Sequence, residues 1–224
     1  MQIQSLRGGT LVEGGTVAIA SELSTPPTKA NLIRRLESII EDDLLLKDVA
    51  KRSYRHQLGF SKYVLAIGTD GSALRMHHWD MSDSTEEDIH SHCADFTSTV
   101  WLGGFEEETF TLTRGETHAL YSYIFNDKTQ RSEALRLKLS AVEKVSERKI
   151  LAGEMYSVRS FSLHRVNSVR PGTLTVSLWK PRSHSALVLK PKAVLAGPCC
   201  SIAGMDVFDL KTKLEFIRGR LCVE

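Results

Sequence analysis

Between Lys62 and about Val194, apolar residues recur at every second position in short runs set off by glycine, aspartate and proline, the pattern of half-buried strands. Tyr63 to Ile67 and Ala73 to His77 flank Gly68-Thr69-Asp70-Gly71-Ser72, whose Asp-Gly pair between two such runs predicts a hairpin. The alternation predicts a further strand from Ile89 to Leu102, ended by Gly103-Gly104, and others over Glu107 to Thr113, His118 to Phe125, Tyr156 to Val166, Thr173 to Trp179 and Ser185 to Leu189. Asn126 to Lys149 is charged and fits neither period, and is read as an excursion over the mouth of the fold. Many short strands without long helices between them predict an all-β barrel or sandwich rather than a parallel α/β sheet.

The flanks differ. Met1 to Leu23 alternates around Gly8-Gly9 and Gly14-Gly15, which predicts short strands and turns. Thr25-Pro26-Pro27-Thr28 then precedes Leu32, Ile33, Leu36, Ile39, Ile40 and Leu44, a helical spacing with a threonine and proline start. Val207, Leu210, Leu214, Ile217 and Leu221 predict a terminal amphipathic helix. The expected organisation is a single domain with an N-terminal strand and helix extension over residues 1–54, a β-barrel over 55–195 and a helical C-terminal extension over 196–224.

Composition narrows the function classes. A length of 224 residues suits one barrel with extensions. With 29 basic against 27 acidic residues and no sustained basic run, no nucleic-acid partner is implied. The four cysteines, at 93, 199, 200 and 222, form neither a C-x-x-C pair nor a secreted disulfide framework, so a reduced, cytoplasmic setting is expected. No leader pattern and no apolar run of about 20 residues is present, so no membrane partner is expected.

The chemistry concentrates at His90-Ser91-His92 and at His164. On a strand, residues two apart share a face with Cα atoms roughly 6.5 Å apart, near enough for both imidazoles to reach one metal ion. His90 and His92 share that parity with Ala94, Phe96, Ser98 and Val100, an apolar row suited to an interior. His164 can add a third ligand if its strand folds back across the first, leaving open positions for water, dioxygen or substrate.

This arrangement resembles the cupin superfamily. His90 and His92 match its H-x-H pair and Gly103 its following glycine, whereas Phe96 stands at the usual glutamate position and Asp95 has the opposite parity. Of the second cupin motif, Ser160-Phe161-Ser162-Leu163-His164-Arg165-Val166-Asn167 keeps His164 and, one place early, Asn167. What remains is similar to the three-histidine site of thiol dioxygenases. From Arg55 to Pro181, segments such as Leu74-Arg75-Met76-His77-His78-Trp79-Asp80 and Glu87-Asp88-Ile89-His90-Ser91-His92 resemble a family of little-characterised bacterial and phage cupins, in which Cys93-Ala94 here replaces the usual tryptophan or proline. The resemblance implies a double-stranded β-helix barrel and a divalent metal, Fe(II) first, with zinc, manganese or nickel as alternatives, held by His90, His92 and His164.

Around that centre, parity places Tyr156 on the face of His164, where its hydroxyl could donate a proton, the alternative being a barrel tyrosine at the rim. Arg75 and His77 share one face of the preceding strand and could bind substrate, Arg75 through a carboxylate, unless that face is the outer one. His78-Trp79-Asp80 with His164 offers a competing two-histidine, one-carboxylate site like that of 2-oxoglutarate oxygenases, although Leu174 to Ser177 lacks the basic residue that would hold the cosubstrate. His56, His118 and His184 lack ligand spacing and are expected in turns or at the surface. The implied activity is O₂-dependent oxidation of a small molecule by a non-haem iron dioxygenase, alone or as a homo-oligomer. The alternatives are a zinc or manganese isomerase or hydrolase, and a barrel that binds a small ligand without turnover.

Overall fold

The computed structural model describes residues 25–56, 58–80, 87–126, 131–197 and 204–223. The strands expected over Met1 to Leu23, and Cys199-Cys200, lie outside them. The chain enters through helices α1 (Lys29–Glu41) and α2 (Asp43–Arg52). One helix was expected here; Asp42 divides it. Its extended backbone (φ −105°, ψ 106°) ends α1, and its carboxylate accepts the Leu44 and Leu45 N–H groups at 2.9 and 3.0 Å to start α2. Thr28 caps α1 in the same way.

The β region comprises β1 (Tyr54–Arg55), β2 (Ser61–Ile67), β3 (Ala73–His78), β4 (Ile89–His90), β5 (Phe96–Leu102), β6 (Gly104–Asn126), β7 (Arg131–Leu151), β8 (Met155–Val158), β9 (Leu163–Asn167), β10 (Leu174–Trp179) and β11 (Ala186–Pro191), followed by helix α3 (Val207–Val223). These strands form two antiparallel sheets, ordered β1-β2-β3-β10-β5-β8 and β11-β4-β9-β6-β7. The β2–β3 hairpin turns where Asp70-Gly71 predicted, with Gly71 at φ +85° and the Gly68 N–H bonded to the Ser72 carbonyl. Between β5 and β6, Gly103 adopts φ +72°, and a Cβ there would stand 2.3 Å from Thr173 Oγ1. Only glycine fits that crossing.

Two expectations are corrected. Of the excursion read over Asn126 to Lys149, Asn126 ends β6 and residues 131–149 belong to β7, which pairs with β6 along nearly its whole length. The two strands read separately at Glu107 to Thr113 and His118 to Phe125 are one strand, β6, interrupted by a register shift between Thr113 and His118. Its first half pairs with β9 and its second half with β11, which also pairs with β4.

Strand alternation divides the first sheet into two faces. Tyr63, Leu65, Leu74, Met76, Leu102, Leu174 and Val176 pack under the helices. Against them lie Leu32, Leu36, Ile39 and Ile40 of α1, Leu46 and Val49 of α2, and Leu210, Leu214, Ile217 and Leu221 of α3. The terminal helix thus buries the stripe its sequence predicts. The opposite parity, including His77 on β3 and Ser177 and Trp179 on β10, lines a cavity of about 290 Å³ whose other wall carries His90 and His164 from the second sheet. No described helix is long and apolar enough to cross a membrane.

Candidate metal centre

β4 and β9 set His90 directly opposite His164, and the other neighbour of His164 in the sheet is Thr109 on β6. His92 arrives differently from the continuous strand expected over Ile89 to Leu102. The ladder stops at His90, and residues 91–95 carry the chain across to the first sheet, where β5 begins at Phe96. Hydrogen bonds hold this crossing in place. Ser91 N–H donates to the Leu187 carbonyl at 2.8 Å, Leu187 N–H donates back to Ser91 Oγ at 3.0 Å, and His92 N–H donates to the Ser160 carbonyl at 3.0 Å.

Ligand-capable nitrogens of His90, His92 and His164 lie within 4.8 Å of one another. Two of the rings have their outward nitrogens engaged. His90 Nδ1 donates to the Asp88 carbonyl at 2.9 Å, and His164 Nδ1 donates to Glu107 Oε1 at 2.9 Å. That assignment leaves each Nε2 as a lone pair, and a hydrogen bond from the far side of the ring is how proteins orient metal-binding histidines. His92 Nε2 faces His164 Nε2 at 2.7 Å, a pair that needs one proton, or one cation, between the two nitrogens. Burial pulls His90 down to about 3 and His92 well below the usual imidazole range. Both are therefore neutral at pH 7, the form that binds a metal ion. The donor set fits a divalent cation of intermediate softness.

Glu107 is a residue that sequence reasoning missed. Its carboxylate is 2% exposed and bonds His164 through Oε1 and Arg148 through Oε2, at 2.7 Å from Arg148 Nε. Although burial pushes its pKa up, the bonds from His164 and Arg148 hold it below the ordinary glutamate range. Glu87 was missed too: it lines the cavity, accepts the Val166 N–H at 3.1 Å, and is raised by burial to about 7.

Tyr156 lines the same cavity, but its strand does not continue to His164 as expected. β8 belongs to the first sheet, and Arg159 to Ser162 turn the chain over to β9 in the second. Burial raises the Tyr156 hydroxyl well above the ordinary tyrosine value, against the pull of the Ser98 hydroxyl. His77 also lines the cavity, and its Nε2 is buried without a partner. Arg75 does not line it; its guanidinium carbon sits 4.2 Å from the centre of the Trp179 ring, and burial lowers its pKa.

The competing site does not assemble. His78 has the opposite parity to His77 and lies 6.1 Å from the Phe216 ring of α3, while Asp80 is engaged by Arg55, Lys213 and Ser61. His118 and His184 bond neighbouring hydroxyls away from the cavity, at Thr117 and Ser183. His56 lies in the turn between β1 and β2, where its N–H donates to the Phe60 carbonyl, and its ring lines the cavity and stacks on Phe60 with ring centres 4.5 Å apart.

No family model and no curated protein sequence matches this chain. Among solved structures, it is similar to a DMSP lyase from Ruegeria pomeroyi DSS-3, with 13% identity over 77% of this chain and 83% of the other and a TM-score of 0.37. A hydroquinone 1,2-dioxygenase in complex with Cd2+ and 4-hydroxybenzonitrile shows 11% identity over 78% and 82%, with a TM-score of 0.34. A recombinant oxalate oxidase in complex with glycolate shows 11% identity, with a TM-score of 0.32. That match covers 58% of this chain, and the chain spans about half the length of the oxidase. Likeness at this level assigns no family, and the functional reading rests on the site itself.

Proposed function

We propose that this chain is a metal-dependent enzyme of the cupin type, in which His90, His92 and His164 hold Fe(II) for the O₂-dependent oxidation of a small molecule. One observation carries the reading. Three histidines from two separated stretches of the chain converge in a cavity wall, with His90 and His164 fixed by outward bonds that leave Nε2 for an ion. Bound there, iron would supply one-electron chemistry and an open coordination face to dioxygen and substrate.

The protein's own groups do the rest. Glu107 holds the His164 ring and its Nδ1 proton, while Asp88 fixes His90 through its main-chain carbonyl. The aromatic lining makes the space beside the histidines largely apolar. Tyr156, kept protonated by burial, is a hydrogen-bond and proton donor to a molecule in the cavity rather than a base. Arg75 acts from outside the lining, through the face of Trp179.

The test is elemental analysis of protein purified without a histidine tag, followed by anaerobic Fe(II) reconstitution and measurement of oxygen uptake with candidate substrates. One iron per chain and substrate-dependent O₂ consumption are expected. Stoichiometric metal without oxygen uptake would turn the reading to a non-oxidative cupin, and no metal at all would overturn it.

A further inference from the structure

Building on the reading of the cavity as a substrate site, we propose that it takes a planar aromatic molecule of one or two rings bearing a hydrogen-bonding substituent. Size comes first. Roughly 150 Å³ of apolar cavity suffices for benzene, so about 290 Å³ accommodates a substituted ring or a fused pair.

The lining then selects by chemistry. Ring contacts run without a break around the space: Phe60 to Trp79 at 4.9 Å, Trp79 to Phe105 at 6.4 Å, Phe105 to Tyr156 at 5.6 Å, Tyr156 to Phe96 at 6.1 Å, and Phe96 to Trp179 at 4.3 Å. Trp179 in turn meets His92 edge to face at 5.1 Å. This arc leads from the far wall to the histidine cluster and mixes tilted, edge-on and stacked orientations. A guest ring meets both faces and edges, so it gains the quadrupole contacts that a saturated ring of equal size cannot make.

The polar groups beside the arc are the converging nitrogens of His90, His92 and His164, and in the metal-free protein a hydroxyl or amine on the guest can hydrogen-bond to them. Of the charged residues that border the cavity, Asp88 and Lys190 pair with each other at 2.5 Å, Lys62 donates to the Tyr54 hydroxyl at 3.1 Å and Glu87 accepts the Val166 N–H at 3.1 Å. The recognition is therefore of an aromatic plane with a polar substituent rather than of a formal charge.

Matched alcohols test this in the metal-free protein by isothermal titration calorimetry: benzyl alcohol against cyclohexylmethanol, and 2-naphthol against decahydro-2-naphthol. The aromatic member of each pair is expected to bind at least tenfold tighter. Trp79→Leu and Phe60→Leu should each reduce that preference severalfold, and the wild-type comparison stands if either variant fails to fold. Equal affinities within the pairs, or no binding of any of the four, would overturn the proposal. Repeating the titrations on His92→Ala separates this from the metal reading. Aromatic preference that survives there without metal content leaves the cavity assignment standing, and stoichiometric metal without aromatic preference leaves only the metal assignment.

Discussion

Glu107→Gln isolates the contribution of a single buried hydrogen bond to the histidine cluster. In the native protein, the Glu107 carboxylate accepts the His164 Nδ1 proton at 2.9 Å and is itself tied to Arg148. The amide keeps the shape but removes the negative charge, and it can satisfy Arg148 or His164 only with its single carbonyl oxygen. Loss of the carboxylate partner of a metal-binding histidine typically weakens metal affinity about 10- to 100-fold, or about 1.4 to 2.7 kcal/mol. Arg148 is half exposed and can turn to water, so its ion pair adds little to the cost. The neighbouring Glu108 supplies the control. It bonds Arg165, Lys144 and Asn167 rather than a candidate ligand, so Glu108→Gln should leave metal affinity within about twofold. Competition against a chromogenic chelator, with Zn2+ or Co2+ as probe, reads both variants. Equal affinities for Glu107→Gln, Glu108→Gln and the unaltered protein, all folded, would refute the role assigned to Glu107.

Alanine at His90, His92 or His164 should lower metal content sharply, whereas His118→Ala and His184→Ala should not; full occupancy in a His90→Ala, His92→Ala double variant, measured by elemental analysis, would sink the assignment. Asp80→Ala, which frees Arg55 and Lys213, should cost about 1 kcal/mol in urea denaturation and leave metal content unchanged; loss of metal would revive the His78 and Asp80 alternative. Metal-free protein should lose stability as pH falls from about 6.5, because His90 titrates near 3 and His56 near 4 in the fold but both near 6.5 when unfolded. Each such histidine lowers stability by about 1.4 kcal/mol per pH unit until its folded pKa is reached; Glu87, raised to about 7, opposes this as a single group, and His77, His78 and His92, also lowered by burial, outweigh it, so denaturation midpoints unchanged between pH 7 and 5 would contradict the argument. Leu214→Ala, at a fully buried position of α3, should destabilise by about 2 to 5 kcal/mol, read as a lowered thermal midpoint, with no loss of metal stoichiometry in the folded protein.

Where one face of an element is buried, its sequence announced it. The α3 stripe and the Asp70-Gly71 hairpin both emerge as expected, because burial and positive φ leave marks in residue type. β7 left none. Leu135, Leu137 and Val145 on it are exposed and its buried residues, Ser140 and Ile150, stand ten positions apart, so no continuous apolar alternation marks it. The three histidines meet as their spacing suggested, though by a different route, since His92 owes its position to the Ser91–Leu187 and His92–Ser160 bonds rather than to strand pleating. Glu107 was hidden among Glu106-Glu107-Glu108, where nothing local distinguishes the glutamate that turns inward. The aromatic arc was equally hidden, because its members come from β5, β6, β8 and β10 and from Phe60 and Trp79 beside β2 and β3, and meet only in three dimensions.

His92 and His164 are 72 positions apart in the chain and 2.7 Å apart in the fold. Bringing them together closes a long stretch of chain, and in the unfolded polypeptide nothing offsets the entropy of that closure. An ion that needs all three rings finds no equivalent grip on the unfolded polypeptide. At a hundredfold excess over its dissociation constant it would add about 2.7 kcal/mol to the native state. The abundance of this protein in a living cell would then follow the local supply of the metal, with starvation felt first as faster turnover of the chain by proteases and only afterwards as lost chemistry.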